Sequence, residues 1–289
     1  MSARRILIFG YGGVGAATGR RLAAQGWSVA ATARTAQAAA ALGDEGVAVV
    51  DPASAAAVSE AAAAAQAILI TAPPGEAGCP GLAALAGPLR NSGPAAPWIG
   101  YLSTTGVYGD HAGRWVFEET PLSPLSAEAT RRVAAEAAWT ALAEETGATL
   151  AIFRLPGLYG VGRSALDRVR AGEARRLTRP GQVFSRLHLD DAGTGVAAAL
   201  AKPRPGAVFN LCDDEPAPSA DVTAHAARLL GVPAPPEETV DLATLSPAAR
   251  RFWSENKRVS NARAKAELGW RPAWPTYREG LAAILAAGG

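Results

Sequence analysis

Three glycines near the start of the chain, Gly10, Gly12 and Gly15, stand at the spacing G-x-G-x-x-G, which can cradle the pyrophosphate of a dinucleotide. Each has its own task. The first permits a tight turn out of a strand, the second keeps a side chain away from the phosphates, and the third lets helix and strand pack closely. The anion would sit on the unbonded N–H groups that open the following helix, here Gly13 and Val14, where the macrodipole favours negative charge. A lone motif of this kind is weak, and 31 glycines raise the chance of coincidence. Its flanks make it specific: an apolar run to Phe9 before it, a helical pattern from Ala16 to Gln25 after it, and a second strand, Trp27 to Ala33, at βαβ distance.

The end of that second strand selects the dinucleotide. An acidic residue about 20 positions past the glycines would accept hydrogen bonds from the ribose 2′-OH of NAD. This chain has Ala33-Arg34-Thr35 there. A guanidinium pairs with a 2′-phosphate, and a neutral neighbour does not repel it, so NADP is expected rather than NAD. Thr71 and Pro73, where the fourth strand breaks, are expected to line the same crevice, because ligands of open parallel sheets lie beyond the C-terminal strand ends. Ser103-Thr104-Thr105-Gly106-Val107-Tyr108-Gly109-Asp110 places further hydroxyls at the end of the fifth.

Positioning these residues requires strands alternating with helices. Strands are expected at 47–50, 67–71, 98–103 and 149–155, and helices at 36–42, 53–66, 82–91 and 127–146. Near-continuous apolar strands between helices specify an α/β fold, a Rossmann-type doubly wound parallel sheet. Beyond residue 160 the pattern loosens. A short helix is expected at 163–171, a strand at 183–188, and a helix capped by Asp190 and Asp191 that ends near Ala201. A strand at 207–211, helices at 219–230, 261–268 and 277–287, and a surface connection at 232–239 complete the chain. No internal repeat or clean linker separates the halves. The expected division is therefore a dinucleotide-binding domain, 1–160, and a smaller interleaved α/β substrate-binding part, 161–289.

Composition sets bounds. A hydrophobic content of 49% and a net charge of +2 describe a soluble globule and give no reason to invoke nucleic acid or a membrane surface. Cys79 and Cys212 match no metal or redox spacing, so no metal is expected and a reduced, cytoplasmic setting is. Nothing at the N-terminus reads as a signal peptide, and no apolar run is long enough to span a bilayer.

Six segments, in order, carry a resemblance: the glycine motif; 103–109; Arg154-Leu155-Pro156-Gly157-Leu158-Tyr159-Gly160; Arg186-Leu187-His188-Leu189-Asp190-Asp191; Phe209 to Pro216; and Lys265-Ala266-Glu267-Leu268-Gly269-Trp270. The chain resembles the extended short-chain dehydrogenase/reductases, the superfamily of NAD(P)-dependent epimerases and dehydratases. Its G-x-G-x-x-G in place of G-x-x-G-x-x-G looks most like the atypical, YeeZ-like branch. The resemblance implies a small-molecule substrate. It places Thr104 at the catalytic Ser/Thr that holds the reacting oxygen, and Pro156 beside the nicotinamide. Tyr108, Tyr159, Arg186 and His188 would then line the substrate pocket, with a hydrogen-bonded structural histidine as the alternative for His188. A homodimer through the 127–146 helix is expected by the same analogy.

One family element is missing. A Tyr-x-x-x-Lys pair, whose lysine lowers the tyrosine pKa for acid/base work, should open the long helix. This chain reads Pro124-Leu125-Ser126-Ala127-Glu128-Ala129-Thr130-Arg131-Arg132, and its first lysine is Lys202. Two readings follow. In one, the protein is an NADP-dependent oxidoreductase or epimerase-like enzyme whose proton comes from elsewhere, with Tyr108, Tyr159, Asp110 or His111 as candidates. In the other, it is a catalytically inactive NADP(H)-binding sensor or regulator.

Overall fold

Short apolar runs separated by alanine-rich helices build the first part of the chain: β1 (Arg5–Phe9), α1 (Gly13–Ala23), β2 (Ser28–Thr32), α2 (Ala36–Asp44), β3 (Ala48–Val50), α3 (Ala55–Ala64), β4 (Ala67–Ile70), α4 (Pro80–Arg90) and β5 (Trp98–Thr104). Next come β6 (Trp115–Val116), α5 (Ala127–Thr146), β7 (Thr149–Leu155), β8 (Gly157–Tyr159), α6 (Ala165–Arg170), β9 (Arg176–Thr178) and β10 (Arg186–His188). The remainder holds α7 (Leu189–Ala201), β11 (Ala207–Asn210), α8 (Ser219–Leu229), β12 (Glu237–Thr239), α9 (Pro247–Trp253), β13 (Arg258–Val259) and α10 (Tyr277–Ala286). This computed structural model describes residues 4–93 and 96–288.

Seven strands form one parallel sheet in the order β11-β7-β5-β4-β1-β2-β3. The order reverses between β1 and β4, in register Ile6↔Ala67 to Phe9↔Ile70. That reversal opens a crevice beyond the strand ends, where ligands of such sheets bind. Alternate side chains of the central strands face one core. Leu7, Phe9, Ile68, Ile70, Ile99, Tyr101, Leu150 and Ile152 pack there with Val58 of α3, Leu85 and Leu89 of α4, and Trp139 and Leu142 of α5. On the other side α1 lies so close that a Cβ on Gly15 would come within 3.2 Å of Ile8 Cγ2. Gly193 of α7 crosses α1 equally tightly, its Cβ position 2.8 Å from the Ala17 carbonyl carbon.

The chain forms two compact units that exchange segments. Unit 1 comprises residues up to Thr104, then Ala127–Arg154 and Ala192–Phe209; unit 2 comprises Thr105–Ser126, Leu155–Asp191 and the residues from Asn210 onward. The passage between units therefore falls at several points and not once near residue 160. Unit 2 is built on three two-stranded parallel pairs, β8·β10, β9·β12 and β6·β13. Its main core gathers Leu166 of α6, Val222 and Ala226 of α8, and Tyr277, Leu281 and Ile284 of α10.

Three details in this half differ from the sequence reading. Asp190 and Asp191 lie inside the first turn of α7 and do not cap it; Asp191 accepts instead from the backbone N–H groups of Ala273 and Trp274, at 2.7 and 3.2 Å. Within 232–239, the residues of β12 pair with β9, an edge contact made by charge, since Arg175 and Arg176 meet Glu238 and Glu237 at 2.6 and 2.8 Å. Residues 264–268 form a single π-helical turn that closes on Gly269 at φ +68°.

Candidate functional site

The three glycines differ in what the protein's own atoms demand of them. Gly10 has φ +91°, and a Cβ there would sit 2.8 Å from Thr71 Oγ1, so backbone and space both require glycine. Gly15 would drive its Cβ to 2.9 Å from the Gly10 carbonyl. Gly12 is under neither constraint. It is the N-cap of α1 at φ −82°, ψ −173°, an extended conformation open to any residue, and a Cβ there would meet nothing within 4 Å. No side chain caps α1 and no acidic residue occupies its first turn. The opening N–H groups of a helix have no intrahelical partner, so at Gly13 and Val14 they are available to an anion in the open space at Gly12. A dinucleotide pyrophosphate fits this cradle.

Two threonines fix the loop that carries it. The Gly10 N–H donates to Thr32 Oγ1 at 2.7 Å, and Thr71 Oγ1 donates to the Gly10 carbonyl at 2.5 Å. The Thr71 and Ala72 N–H groups both donate to the Phe9 carbonyl, at 3.0 and 3.1 Å. Thr71 thus holds the turns after β1 and β4 together, and exposed Pro73 follows it. Arg34 lies just past β2, exposed, one residue before the α2 cap Thr35. Among the described residues it has no ion pair, and its neighbour at the expected acidic position is Ala33.

Thr104 is half-buried at the end of β5. Its neighbour Ser103 faces inward and donates to Glu136 Oε1 at 2.5 Å, while Arg154 Nη2 meets Glu136 Oε2 at 2.8 Å. This buried trio ties α5 to β5 and β7 and was not foreseen from the sequence. Arg132, in the first turns of α5, donates to the Leu102 carbonyl and packs over the Tyr101 ring at 5.8 Å.

The remaining expected site residues belong to unit 2, Pro156 included, half-buried between β7 and β8. Tyr159 and Arg186 line one cavity of ≈ 420 Å³. Arg186 Nη1 donates to the carbonyls of Phe184 and Ala217 at 2.8 and 3.0 Å. Tyr159 is buried against Gly280, and its hydroxyl has no hydrogen-bond partner among the described residues. Burial and the neighbouring carboxyl groups of Asp213 and Asp191 push its pKa up.

Two other expected pocket residues are absent from that lining. His188 is enclosed by Tyr159, edge-on at 5.3 Å, and by Trp274, tilted at 4.0 Å, and its Nδ1 accepts from the Asp190 N–H at 3.2 Å. Burial lowers its pKa. Tyr108 is fully buried and donates to Asn210 Oδ1 at 2.7 Å. The other proton-donor candidates are tied up in turns: Asp110 Oδ1 accepts from the N–H groups of Ala112 and Asn256, and His111 Nε2 lies 3.1 Å from the Tyr108 carbonyl.

Asp213 is the most perturbed carboxyl of unit 2. It is 1% exposed, and burial outweighs the attraction of Arg186 and the backbone N–H groups of Glu215 and Arg186, pushing its pKa up to about 8. Between the unfolded value of about 3.9 and about pH 8, the folded carboxyl keeps a proton that the unfolded chain has lost. Its stabilisation is complete below that window and disappears as pH rises through it. Asp213→Asn cannot ionise. Relative to wild type it is expected to gain stability with rising pH, by up to about 1.4 kcal/mol per pH unit across the window. Urea unfolding at pH 5 and pH 8 checks this, and a wild-type–variant difference independent of pH would refute it.

Among the described residues no group of three or more His, Cys, Asp or Glu could hold a metal ion, and no helix is long and apolar enough to cross a membrane. No family model matches the chain. The 3-diazoavenalumate denitrifying reductase of a Streptomyces species is 36% identical over 141 residues, which cover 45% of this chain and 45% of that protein; the chain thus matches less than half of that relative's length. The dTDP-glucose 4,6-dehydratase of Bacillus anthracis, solved in complex with NAD, shares the fold at a TM-score of 0.79 and 18% identity, over 98% of this chain and 96% of that one. A functionally unknown conserved protein from Silicibacter pomeroyi DSS superposes with a TM-score of 0.90 and 43% identity over 99% of both chains. The protein therefore belongs to the same family as that Silicibacter protein, and its structural neighbours are members of the NAD-dependent epimerase/dehydratase superfamily.

Proposed function

We propose that the protein is an NADP(H)-dependent oxidoreductase of the atypical, YeeZ-like branch of the extended short-chain dehydrogenases, acting on a small molecule in the cytoplasm. The observation that carries this reading is Gly12, a glycine that the fold itself does not need, open toward the uncapped start of α1. The reductase activity of the Streptomyces relative and the NAD held by the Bacillus dehydratase support the same class of chemistry.

Bound there, the dinucleotide would supply the hydride carrier. Gly13 and Val14 would hold its pyrophosphate through their N–H groups, with Thr32 and Thr71 keeping the loop in place. Arg34 would take the 2′-phosphate, and Thr104 the reacting oxygen of the substrate, the role implied by the family resemblance. No Tyr-x-x-x-Lys pair opens α5, and Arg132 is held by the Leu102 carbonyl. Proton delivery therefore falls to another group or to solvent. General acid/base catalysis typically contributes about 10²–10⁴-fold, so turnover without the pair should be slow or narrow.

Competitive titration of NADPH and NADH is the test. A charge-assisted contact from Arg34 is worth on the order of 1.5–3 kcal/mol, so wild type is expected to prefer NADPH by about ten- to a hundredfold, and Arg34→Ala to lose the preference. Equal affinities in wild type would leave Arg34 an ordinary surface residue. The same engagement of Tyr108, Asp110 and His111 in structural bonds favours a second reading, a sensor that binds NADP(H) without turnover. NADPH binding with no consumption across a panel of carbonyl compounds would select it.

A further inference from the structure

The ≈ 420 Å³ cavity lies wholly within unit 2, and its lining combines two kinds of side chain. Four are basic: Arg163, Arg168 and Arg186, together with Arg175, whose guanidinium is already paired with Glu238 at 2.6 Å. The lining contains one carboxylate, Glu173. Phe184, Phe252 and Trp253 add an apolar, aromatic part besides Tyr159. Phe184 and Phe252 stack at 4.4 Å and 7°, and Trp253 stands edge-on to Phe184 at 5.1 Å.

Hydrogen bonds hold both groups in place. The two bonds from Arg186 to backbone carbonyls use Nη1 alone, which fixes the guanidinium plane. Its ring neighbour Tyr277 lies 5.9 Å away. A pre-oriented guanidinium suits the planar, two-pronged geometry of a carboxylate. Burial raises the pKa of the nearby Asp213 carboxyl, which weakens its neutralisation of the Arg186 charge. The segment that carries Phe252 and Trp253 is tied down through its backbone: Gln182 Nε2 donates to the Glu255 carbonyl at 2.7 Å, and Arg179 Nη1 to the Trp253 carbonyl at 3.0 Å. Phe252 remains 52% exposed, a large apolar ring lining the cavity with half of it uncovered by the described residues. The volume falls toward the lower end of roughly 300–1,000 Å³ for small-molecule pockets, and matches a one- or two-ring acid better than a nucleoside diphosphate sugar.

We infer that this cavity binds a small planar aromatic carboxylate, its acid group on Arg186 and Arg168 and its ring against Phe252 and Trp253. As a substrate class the inference rests on the oxidoreductase reading; as a binding site it stands on unit 2 alone.

Isothermal titration calorimetry of the full chain with cinnamate tests it, with cinnamamide, octanoate and UDP as comparison probes. Wild type is expected to bind cinnamate at one site, cinnamamide at least about tenfold more weakly for want of the charge-assisted contact, and octanoate about two- to tenfold more weakly for want of the aromatic one. Arg168→Gln, a change at an exposed residue, and Arg186→Gln should each weaken cinnamate by about ten- to a hundredfold. NADPH affinity should stay unchanged in Arg168→Gln. No heat with cinnamate overturns the inference, as does equal affinity for cinnamamide or octanoate, or tighter binding of UDP. Unchanged cinnamate affinity in a folded Arg168→Gln protein would also overturn the assignment to these arginines. Cinnamate binding in a protein that takes no NADPH would break the oxidoreductase reading and leave this site standing.

Discussion

Gly12→Val is expected to abolish NADPH binding while leaving the protein folded. The residue has an extended backbone that valine adopts readily, and its Cβ would meet no atom of the protein within 4 Å. Valine is a poorer N-cap than glycine, so a modest loss of helix stability, on the order of 1 kcal/mol, is the only structural cost. The added branches would occupy the space before the N–H groups of Gly13 and Val14, and a pyrophosphate could no longer reach them. Two such charge-assisted bonds, at roughly 1.5–3 kcal/mol each, make the expected loss at least about a hundredfold. Fluorescence titration with NADPH measures it, and circular dichroism with a thermal melt confirms the fold. Gly15→Ala is the contrasting control: its Cβ would press to 2.9 Å on the Gly10 carbonyl, so it should weaken the fold itself. Near-wild-type NADPH affinity in a folded Gly12→Val protein would remove the dinucleotide from this loop.

That contrast explains why the glycine motif was readable while much else was not. Spacing records where side chains are forbidden, and Gly10 and Gly15 are forbidden by the fold, whereas Gly12 is left open. The parallel sheet was equally legible, because β1 and β4 are almost entirely apolar and buried, as strands covered on both faces must be. Unit 2 was harder. Its strands run two or three residues, too short for a period of two to show, and β12 joins β9 with a Glu-Glu-Thr sequence whose stabilising partners are arginines. His188 and Tyr108 stand at motif positions, and motif position does not record whether a polar ring faces a cavity or the core. Of the arginine-and-aromatic cavity only Tyr159 and Arg186 stand in readable motifs, since its lining runs from Gly157 to Leu281 and only folding brings the rest together.

Glu136 carries a signal in the sequence itself. In α5 the buried positions Ala135, Trp139, Leu142 and Ala143 trace an inward stripe, and Glu136 lies in it, 5% exposed. In β7, Thr-Leu-Ala-Ile-Phe-Arg-Leu, Arg154 interrupts an otherwise apolar run and is also 5% exposed. Two opposite charges at core positions of neighbouring elements must meet, because an isolated buried charge is too costly.

Glu136→Leu is accordingly expected to destabilise the fold by about 3–5 kcal/mol, because it leaves the Arg154 guanidinium buried without its counter-charge and the Ser103 hydroxyl without its acceptor. The double variant Glu136→Leu/Arg154→Met should recover much of that loss, since a buried ion pair replaced by apolar side chains of similar volume is often neutral. Urea unfolding of wild type, both single variants and the double variant closes the cycle. A Glu136→Leu protein as stable as wild type would mean that Arg154 finds water or another acceptor, and that the trio does not hold α5 to β5 and β7. If the double variant were as unstable as the single, the loss would lie in packing around α5 and not in the stranded charge.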